Sequence, residues 1–332
     1  METPAPGPRV GTRVAMRYRL TSPDPSTGAR LTDVVGELVA SGPESLTVRS
    51  RHGEVVVPRR AVTALKEVPP RPSRRGAPHR AVSAADLERA MVGAWPPVET
   101  GRLGEWVLRS SGGFTQRASS ALAVGDPGLP LEAALEAVET WYADRGRPSW
   151  VSLPLPHGAS PETDPLVGLL TARGYESRVP TVCLTASAAH VAASAASSPA
   201  RVPVRLSPTL EDGWMAAYRS YREADPDLAR AVLTGSPAQV FASVAQEDGE
   251  VVAVGRLGLA SAWGGVAAMW TAPTHRRRGI ATAVLGALAE EAVRRDVASL
   301  HLQTDGDNAG ALSTYRRHGF TPHHDYVTLR RP

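Results

Sequence analysis

Residues Pro273-Thr274-His275-Arg276-Arg277-Arg278-Gly279-Ile280-Ala281 follow a short apolar run, Val266 to Trp270, that reads as a strand. They open a segment whose apolar positions Ile280, Val284, Leu285, Leu288 and Ala292 fall on one helical face. Strand, turn and helix start together present free backbone N–H groups and the positive end of a helix to an anion. Gly279 and Ala281 keep the backbone bare enough for a phosphate to approach. Arg276, Arg277 and Arg278 add charge that does not titrate away. An arginine-rich turn can equally be a solvated charge cluster, so the stretch needs support from elsewhere in the chain.

That support lies downstream. Asn308 to Phe320 reads Asn-Ala-Gly-Ala-Leu-Ser-Thr-Tyr-Arg-Arg-His-Gly-Phe and follows an alternating run, Ser299-Leu300-His301-Leu302-Gln303, that predicts a strand. Asn308 suits a helix N-cap, Ala311 and Tyr315 share a helix face, and Gly319 suits the helix end. The patterns Arg276-x-x-Gly279-x-Ala281 and Asn308-x-x-Ala311-x-x-x-Tyr315-x-x-x-Gly319-Phe320 resemble the two CoA-contacting motifs of the GNAT superfamily of N-acetyltransferases, in the family's order. The resemblance implies acetyl-CoA as co-substrate. Its pyrophosphate would lie on Arg276, Arg277, Arg278, Gly279, Ile280, Ala281 and Thr282. Trp270, Thr271 and Asn308 would also line the CoA site. A backbone N–H around Met269–Thr271 would meet the oxyanion, and Tyr315 would protonate the leaving thiolate, whose pKa is about 8.5.

Composition bounds the rest. The 332 residues are 42% hydrophobic and 21% charged, which fits a globular protein of two or three domains. The single cysteine, Cys183, excludes an intramolecular disulfide framework. No apolar stretch approaches a membrane span, and Met1 to Pro6 lacks the charged and apolar regions of a secretory signal, so a cytoplasmic location is expected. Residues 1–76 hold 13 Lys or Arg against 7 Asp or Glu, a net of +6. With +4 for the whole chain, the remainder is about −2, so basic character belongs to the first segment. That leaves nucleic acid as a conceivable partner of this segment. His323-His324 has no metal-ligand spacing around it, and no metal is expected.

Residues 8–67 carry five short strand-like runs, 11–20, 34–40, 46–49, 54–57 and 61–68, separated by turn signals. They predict a small barrel of the SH3-like kind over 1–70. Pro69 to Gly76 reads as a linker, and Ala186 to Ala200 as a flexible or weakly helical connector. Residues 78–185 repeat the element order of 201–332: helix, strand, helix, Gly-aromatic, strand. With Gly174 set on Gly319, Leu170 falls at Tyr315 and Thr163 at Asn308. The loop before the first helix, Gly125-Asp126-Pro127-Gly128-Leu129-Pro130, has no arginine, an acid that repels an anion, and two prolines that donate no N–H. The expected architecture is therefore α/β: tandem GNAT folds over 78–185 and 201–332, the first degenerate and the second binding acetyl-CoA, behind the barrel. This layout resembles an actinobacterial GNAT family, some members of which are regarded as N-acetylglutamate synthases.

An alkyl amine needs a base at neutral pH, and the predicted strand Val266 to Thr271 carries no acid. His301, Asp305 and Asp307 are near in sequence, and relay through water is an alternative. An acceptor carboxylate would want an arginine, and Arg109 and Arg117 of the first copy are the candidates. Three readings follow. One is a small-molecule N-acetyltransferase with an amino acid such as L-glutamate as acceptor. The others are a protein acetyltransferase and a non-enzymatic, acetyl-CoA-sensing nucleic-acid regulator. The sequence leaves the oligomeric state open.

Overall fold

The computed structural model describes residues 8–23, 28–50, 53–68, 77–198 and 202–332. The expected linker, 69–76, lies outside the described residues, as do 199–201 of the expected connector.

Strands β1 (Arg13–Arg19), β2 (Leu31–Ser41), β3 (Ser45–Ser50), β4 (Gly53–Pro58) and β5 (Val62–Glu67) form an antiparallel sheet in the order β4-β3-β2-β1-β5. Alternate residues such as Val14, Met16, Leu46, Val48 and Val57 fill its core, as a period of two demands. Residues just before β1 join this unit to the rest. Val10 is buried in the core of the segment that follows. Arg9 Nη1 donates to the Ala123 carbonyl at 3.1 Å, and its guanidinium lies 5.1 Å from the Trp106 ring centre.

The next elements are α1 (Pro78–Ala81), α2 (Ala84–Ala94), β6 (Glu99–Leu103), β7 (Trp106–Ser110), β8 (Ala121–Leu122), α3 (Leu131–Ala143) and β9 (Trp150–Pro156). They are followed by α4 (Pro165–Ala172), β10 (Glu176–Ser177), β11 (Thr181–Ser187) and α5 (Ala188–Ala196). The second half holds β12 (Arg205–Ser207), α6 (Asp212–Tyr221), α7 (Pro226–Thr234), β13 (Ala238–Ala245), β14 (Val251–Ala260) and β15 (Trp263–Thr271). It ends with α8 (Ile280–Arg294), β16 (Ser299–Asp305), α9 (Ala309–Arg317) and β17 (Thr321–Arg330).

One sheet runs through both halves, in the order β12-β13-β14-β15-β16-β11-β17-β9-β8-β7-β6, with β10 beside β17. The halves exchange their last strands. β11 of the first half pairs with β16 of the second, and β17 pairs with β9. Outward from the β11–β17 pair, both directions begin alike, with an antiparallel neighbour, a parallel pair and two antiparallel pairs, and β12 adds one more antiparallel strand beyond β13.

Helix α8 buries Ile280, Val284, Leu285, Leu288 and Ala292 against Leu300 and Leu302, the stripe its sequence spacing predicts. The other face of the sheet is covered by α2, which packs Leu87 and Met91 against Cys183. Of the two readings of the connector, flexible or weakly helical, the structure shows the helical one over Ala188–Ala196, as helix α5, which packs along α8. A Cβ on Gly286 would come within 2.7 Å of Ala195 Cβ, so the approach depends on that glycine. An Ala/Ser-rich run without a wide apolar stripe gives little sign of burial, and the small side chains are what let two helices come so close.

Candidate acetyl-CoA site

The site begins where two strands part. β15 and β16 pair in parallel only from Trp263–Ser299 to Val266–Leu302. Beyond that register β15 continues to Thr271 and β16 to Asp305, which stays paired with β11 on its far side. A wedge opens between them. β15 is also bulged: Val254 faces Trp270 and Arg256 faces Ala267, so Ala268 and Met269 together oppose Gly255. Ala268 takes φ +52° at this bulge. Bulges re-aim backbone groups out of the ladder, here at Ala268–Met269, the edge of the predicted oxyanion contact.

The loop after β15 turns into α8 through two left-handed residues, Arg277 at φ +64° and Gly279 at φ +78°. Alternating hands of this sort point successive N–H groups into one concavity. No side chain caps α8. Its first helical bond runs from Ala283 N–H to the Gly279 carbonyl, so the N–H groups of Ile280, Ala281 and Thr282 precede the ladder. Arg276 Nε donates to the Thr271 carbonyl at 3.1 Å, which ties the loop to the strand end and leaves its terminal nitrogens outward. Arg276, Arg277 and Arg278 are exposed. This donor set fits a pyrophosphate.

Asn308 caps α9, its Oδ1 accepting from Ala311 N–H at 3.1 Å, which leaves the side-chain NH₂ free to meet a ligand. Tyr315 is half-buried against the core and edge-on to Phe320, with ring centres 5.8 Å apart. Burial pushes its phenol up to about 12, so it holds its proton at neutral pH. Thr282 is fixed from behind: its hydroxyl meets His318 Nε2 at 3.1 Å, and His318 Nδ1 meets Ser194 of α5 at 3.0 Å. Trp270 stacks on Tyr221 of α6, with ring centres 5.3 Å apart and 6° between planes. The Tyr221 hydroxyl is buried with no partner, and burial followed by Tyr218 drives its pKa up. The spacing of Tyr218 and Tyr221, three apart on one helix face, was the available sequence signal for this wall.

Across the sheet lie further buried polar atoms without partners: Arg117 Nε, both ring nitrogens of His301, and Gln303 Oε1. Burial, then Arg117 and His324, lower the His301 ring to about 3, so it is neutral. Gln303 sits one residue past the last β15–β16 pair, at the fork of the wedge. Its amide donates to Glu88 of α2 at 3.2 Å, and Glu88 Oε1 lies 2.8 Å from His324 Nε2. His324 Nδ1 meets His323 Nδ1 at 2.8 Å, and His323 Nε2 reaches the Val82 carbonyl at 2.9 Å. Glu88 is thus the buried acid nearest the fork, supplied by the first half rather than by β15. Glu88, Cys183 and His324 place ligand atoms within 4.8 Å of one another. They already form a hydrogen-bonded ion pair beside a thiol.

The two arginines expected to read the acceptor part company. Arg109 is buried, with Nε and Nη2 engaged by the Ser120 carbonyl and hydroxyl, both at 2.8 Å. Arg117 is half-buried over Trp95, 5.7 Å from the ring centre, with Nε unpartnered. In the first half, carboxylates engage backbone donors of the loop at 125–130: Asp126 N–H donates to Glu105 at 2.7 Å and Gly128 N–H to Asp126 at 2.8 Å. Carboxylates occupy the donors that a pyrophosphate would need.

A family model described as "Probable histone acetyltransferase Rv0428c C-terminal" matches residues 83–329. The chain belongs to this acetyltransferase family. The model "Rv0428c N-terminal Sm-like domain" matches residues 8–66, so the five-stranded unit is described by its family as Sm-like. The Mycobacterium tuberculosis protein named probable histone acetyltransferase Rv0428c is 32% identical over 153 residues, 44% of this chain and 45% of that protein. The match therefore spans less than half of that relative's length. The uncharacterized N-acetyltransferase YobR of Bacillus subtilis is 25% identical over 71% of this chain and 94% of its own. Among solved structures, a GCN5-related N-acetyltransferase from Kribbella flavida aligns with TM-score 0.51 at 21% identity, over 75% of this chain and 95% of that one. A tandem GNAT protein from the clavulanic acid biosynthesis pathway aligns with TM-score 0.53 at 14% identity, over 77% and 90%. These likenesses establish the GNAT fold, and the family membership makes the chain an acyltransferase of GNAT type. Among the described residues, no helix is long and apolar enough to cross a membrane.

Proposed function

We propose that the chain transfers acetyl from acetyl-CoA to the primary amine of a small, anion-bearing acceptor, in a ternary complex at the β15–β16 wedge. The observation that carries this reading is the conjunction of wedge and uncapped α8 start, flanked by three exposed arginines without ion pairs among the described residues. When bound, acetyl-CoA supplies the activated acyl group. The chain's own residues do the rest. Residues 276–282 hold the pyrophosphate, and the Asn308 NH₂ and Thr271 border the pantetheine arm. The bulged backbone at Ala268–Thr271 offers an N–H to charge growing on the carbonyl oxygen. Tyr315 offers its proton to the departing sulfur.

On this reading the acceptor enters from the α2 side, where Arg117, His301 and Gln303 have buried atoms without hydrogen-bond partners. Buried polar atoms without partners call for an occupant. The charge of Arg117 makes an anionic group on the acceptor favourable, and an amino acid, with L-glutamate first, meets both needs. Glu88, through an intervening water, is the nearest buried carboxylate to draw the amine proton, and Gln303 orients it by donating its amide N–H. The exchanged-strand sheet supports two copies of one fold, and the carboxylate-filled loop at 125–130 supports acetyl-CoA binding in the second alone.

The test is CoA release on a panel of free amino acids, aliphatic amines and lysine-bearing peptides. Turnover with acidic amino acids, and a raised KM but unchanged acetyl-CoA affinity in Arg117→Met, is the expected result. Turnover with peptides alone would move the assignment to a protein acetyltransferase. Steeply salt-dependent DNA binding with no turnover on any amine would replace it with the regulator reading.

A further inference from the structure

A cavity of about 220 Å³ lies between the first half and the end of β17, and none of its lining residues belongs to the β15–β16 wedge or the 273–282 loop. Two cations line it, Arg147 and Arg330, together with Trp150, Gln116, Thr115 and Ser110. No acidic residue lines it. Other arginines nearby are paired: Arg145 with Glu99, Arg173 with Glu136, Arg331 with Glu139. Arg147 and Arg330 have no ion pair among the described residues, and Arg330 Nε is buried with no hydrogen-bond partner. The Arg330 guanidinium lies 5.5 Å from the Trp150 ring centre, and Arg178 lies 5.9 Å from it. Gly113, at φ +87°, lies beside Arg147, whose Nη1 would make ordinary contact, at 3.6 Å, with a Cβ there.

Burying the Arg330 Nε without a partner is unfavourable, and the exposed cation Arg147 at the same cavity adds charge, so an anion is the natural occupant. The volume equals roughly seven waters' share of liquid, more than one phosphate needs and less than the ~300 Å³ typical of drug-sized ligands. Hydroxyl and amide donors surround the cations, and the Trp150 ring offers a flat apolar wall.

We propose that this cavity binds a small organic anion, carboxylate- or phosphate-bearing, whose charge sits between Arg147 and Arg330 and whose body lies on Trp150. The site is separate from the acetyl-CoA wedge. Its rim segment, 113–119, also carries Arg117 and Phe114, the latter packed 6.3 Å from the Tyr218 ring centre on the second half's side. The inference does not depend on which acceptor the enzyme uses.

Three probes titrated into the full chain by calorimetry test it: inorganic phosphate for charge alone, succinate for carboxylates, and phenyl phosphate for charge plus a ring. Saturable binding of at least one is expected, weakened roughly 10- to 100-fold in Arg330→Met and in Arg147→Met. Preference for succinate would identify a carboxylate ligand, and preference for phenyl phosphate over phosphate a ligand that uses Trp150. Acetyl-CoA affinity should be unchanged in both variants, which also reports that they fold. Arg147 is exposed, so its replacement leaves the core intact should Arg330→Met not fold. Failure of all three probes to bind saturably, or binding that survives Arg147→Met at full strength, would overturn the proposal.

Discussion

On the proposed reading, Gly279 matters more to acetyl-CoA binding than any one arginine beside it. Its φ of +78° is open to glycine at no cost, and it stands at the uncapped start of α8. Gly279→Asp adds a Cβ in a left-handed position and a negative charge where the anion would sit. Calorimetry should find acetyl-CoA binding lost in a folded variant, and unchanged affinity would remove the loop from the site. Tyr315 is argued differently. A phenol pushed up to about 12 gives its proton reluctantly to a thiolate of about 8.5. Tyr315→Phe should therefore lower kcat by about 10²-fold, the lower end for a positioned acid, with acetyl-CoA affinity kept. Intact turnover at neutral pH would make the residue structural. Gly279, Asn308 and Tyr315 were already candidates in the sequence because each stands in a local strand–turn–helix pattern. Glu88, Tyr221 and Gln303 were not, because their roles come from neighbours more than thirty residues away. Arg109 and Arg117 look alike in sequence, and only the fold reveals that Ser120 engages the first.

At the scale of elements, α2 is held to the sheet by charge as well as by apolar packing. Glu88 and His324 are both buried and 2.8 Å apart. For Glu88, burial favours the neutral acid, but the His324 contact outweighs it and lowers the pKa. For His324, burial favours the neutral ring, but Cys183 and Glu88 outweigh it and raise the pKa to about 10. The signs then follow from linkage. The His324 contribution is complete below the free ring's ~6.5 and fades as pH rises through the raised value. The Glu88 contribution is complete above ~4.3 and fades on acidification. Both operate fully from about pH 4.5 to 6.5. Glu88→Gln leaves a buried imidazolium unpaired and should cost about 3–5 kcal/mol in urea unfolding near pH 6. It should also flatten the loss of stability at high pH, and a change under ~1 kcal/mol would show the pair to be incidental. Helices α8 and α9 and strands β15 to β17 were readable from periodicity. The packing of helix α5 was not, because its burial comes from close approach at Gly286 rather than from an apolar stripe.

At the scale of the molecule, one acetyl-CoA per chain is expected in a calorimetric titration, since Glu105 and Asp126 fill the first half's loop. A stoichiometry of two would mean that the loop at 125–130 reopens for the ligand. The five-strand unit was legible from its turns, but its attachment through Arg9 and Val10 was not, because nothing local marks those residues as buried elsewhere. The place of β17 was equally hidden: a strand's sequence does not name its partner. That strand also leaves the ribosome after every other strand of its sheet. Until residues 321–330 emerge, β9 and β11 each keep an unpaired edge, and a nascent chain of some three hundred residues must carry two adhesive edges at once. The sheet can therefore close only once β17 has emerged. A message with a premature stop just before codon 321 should yield a product retained by chaperones or lost to aggregation, although every residue of the pyrophosphate loop has already been made.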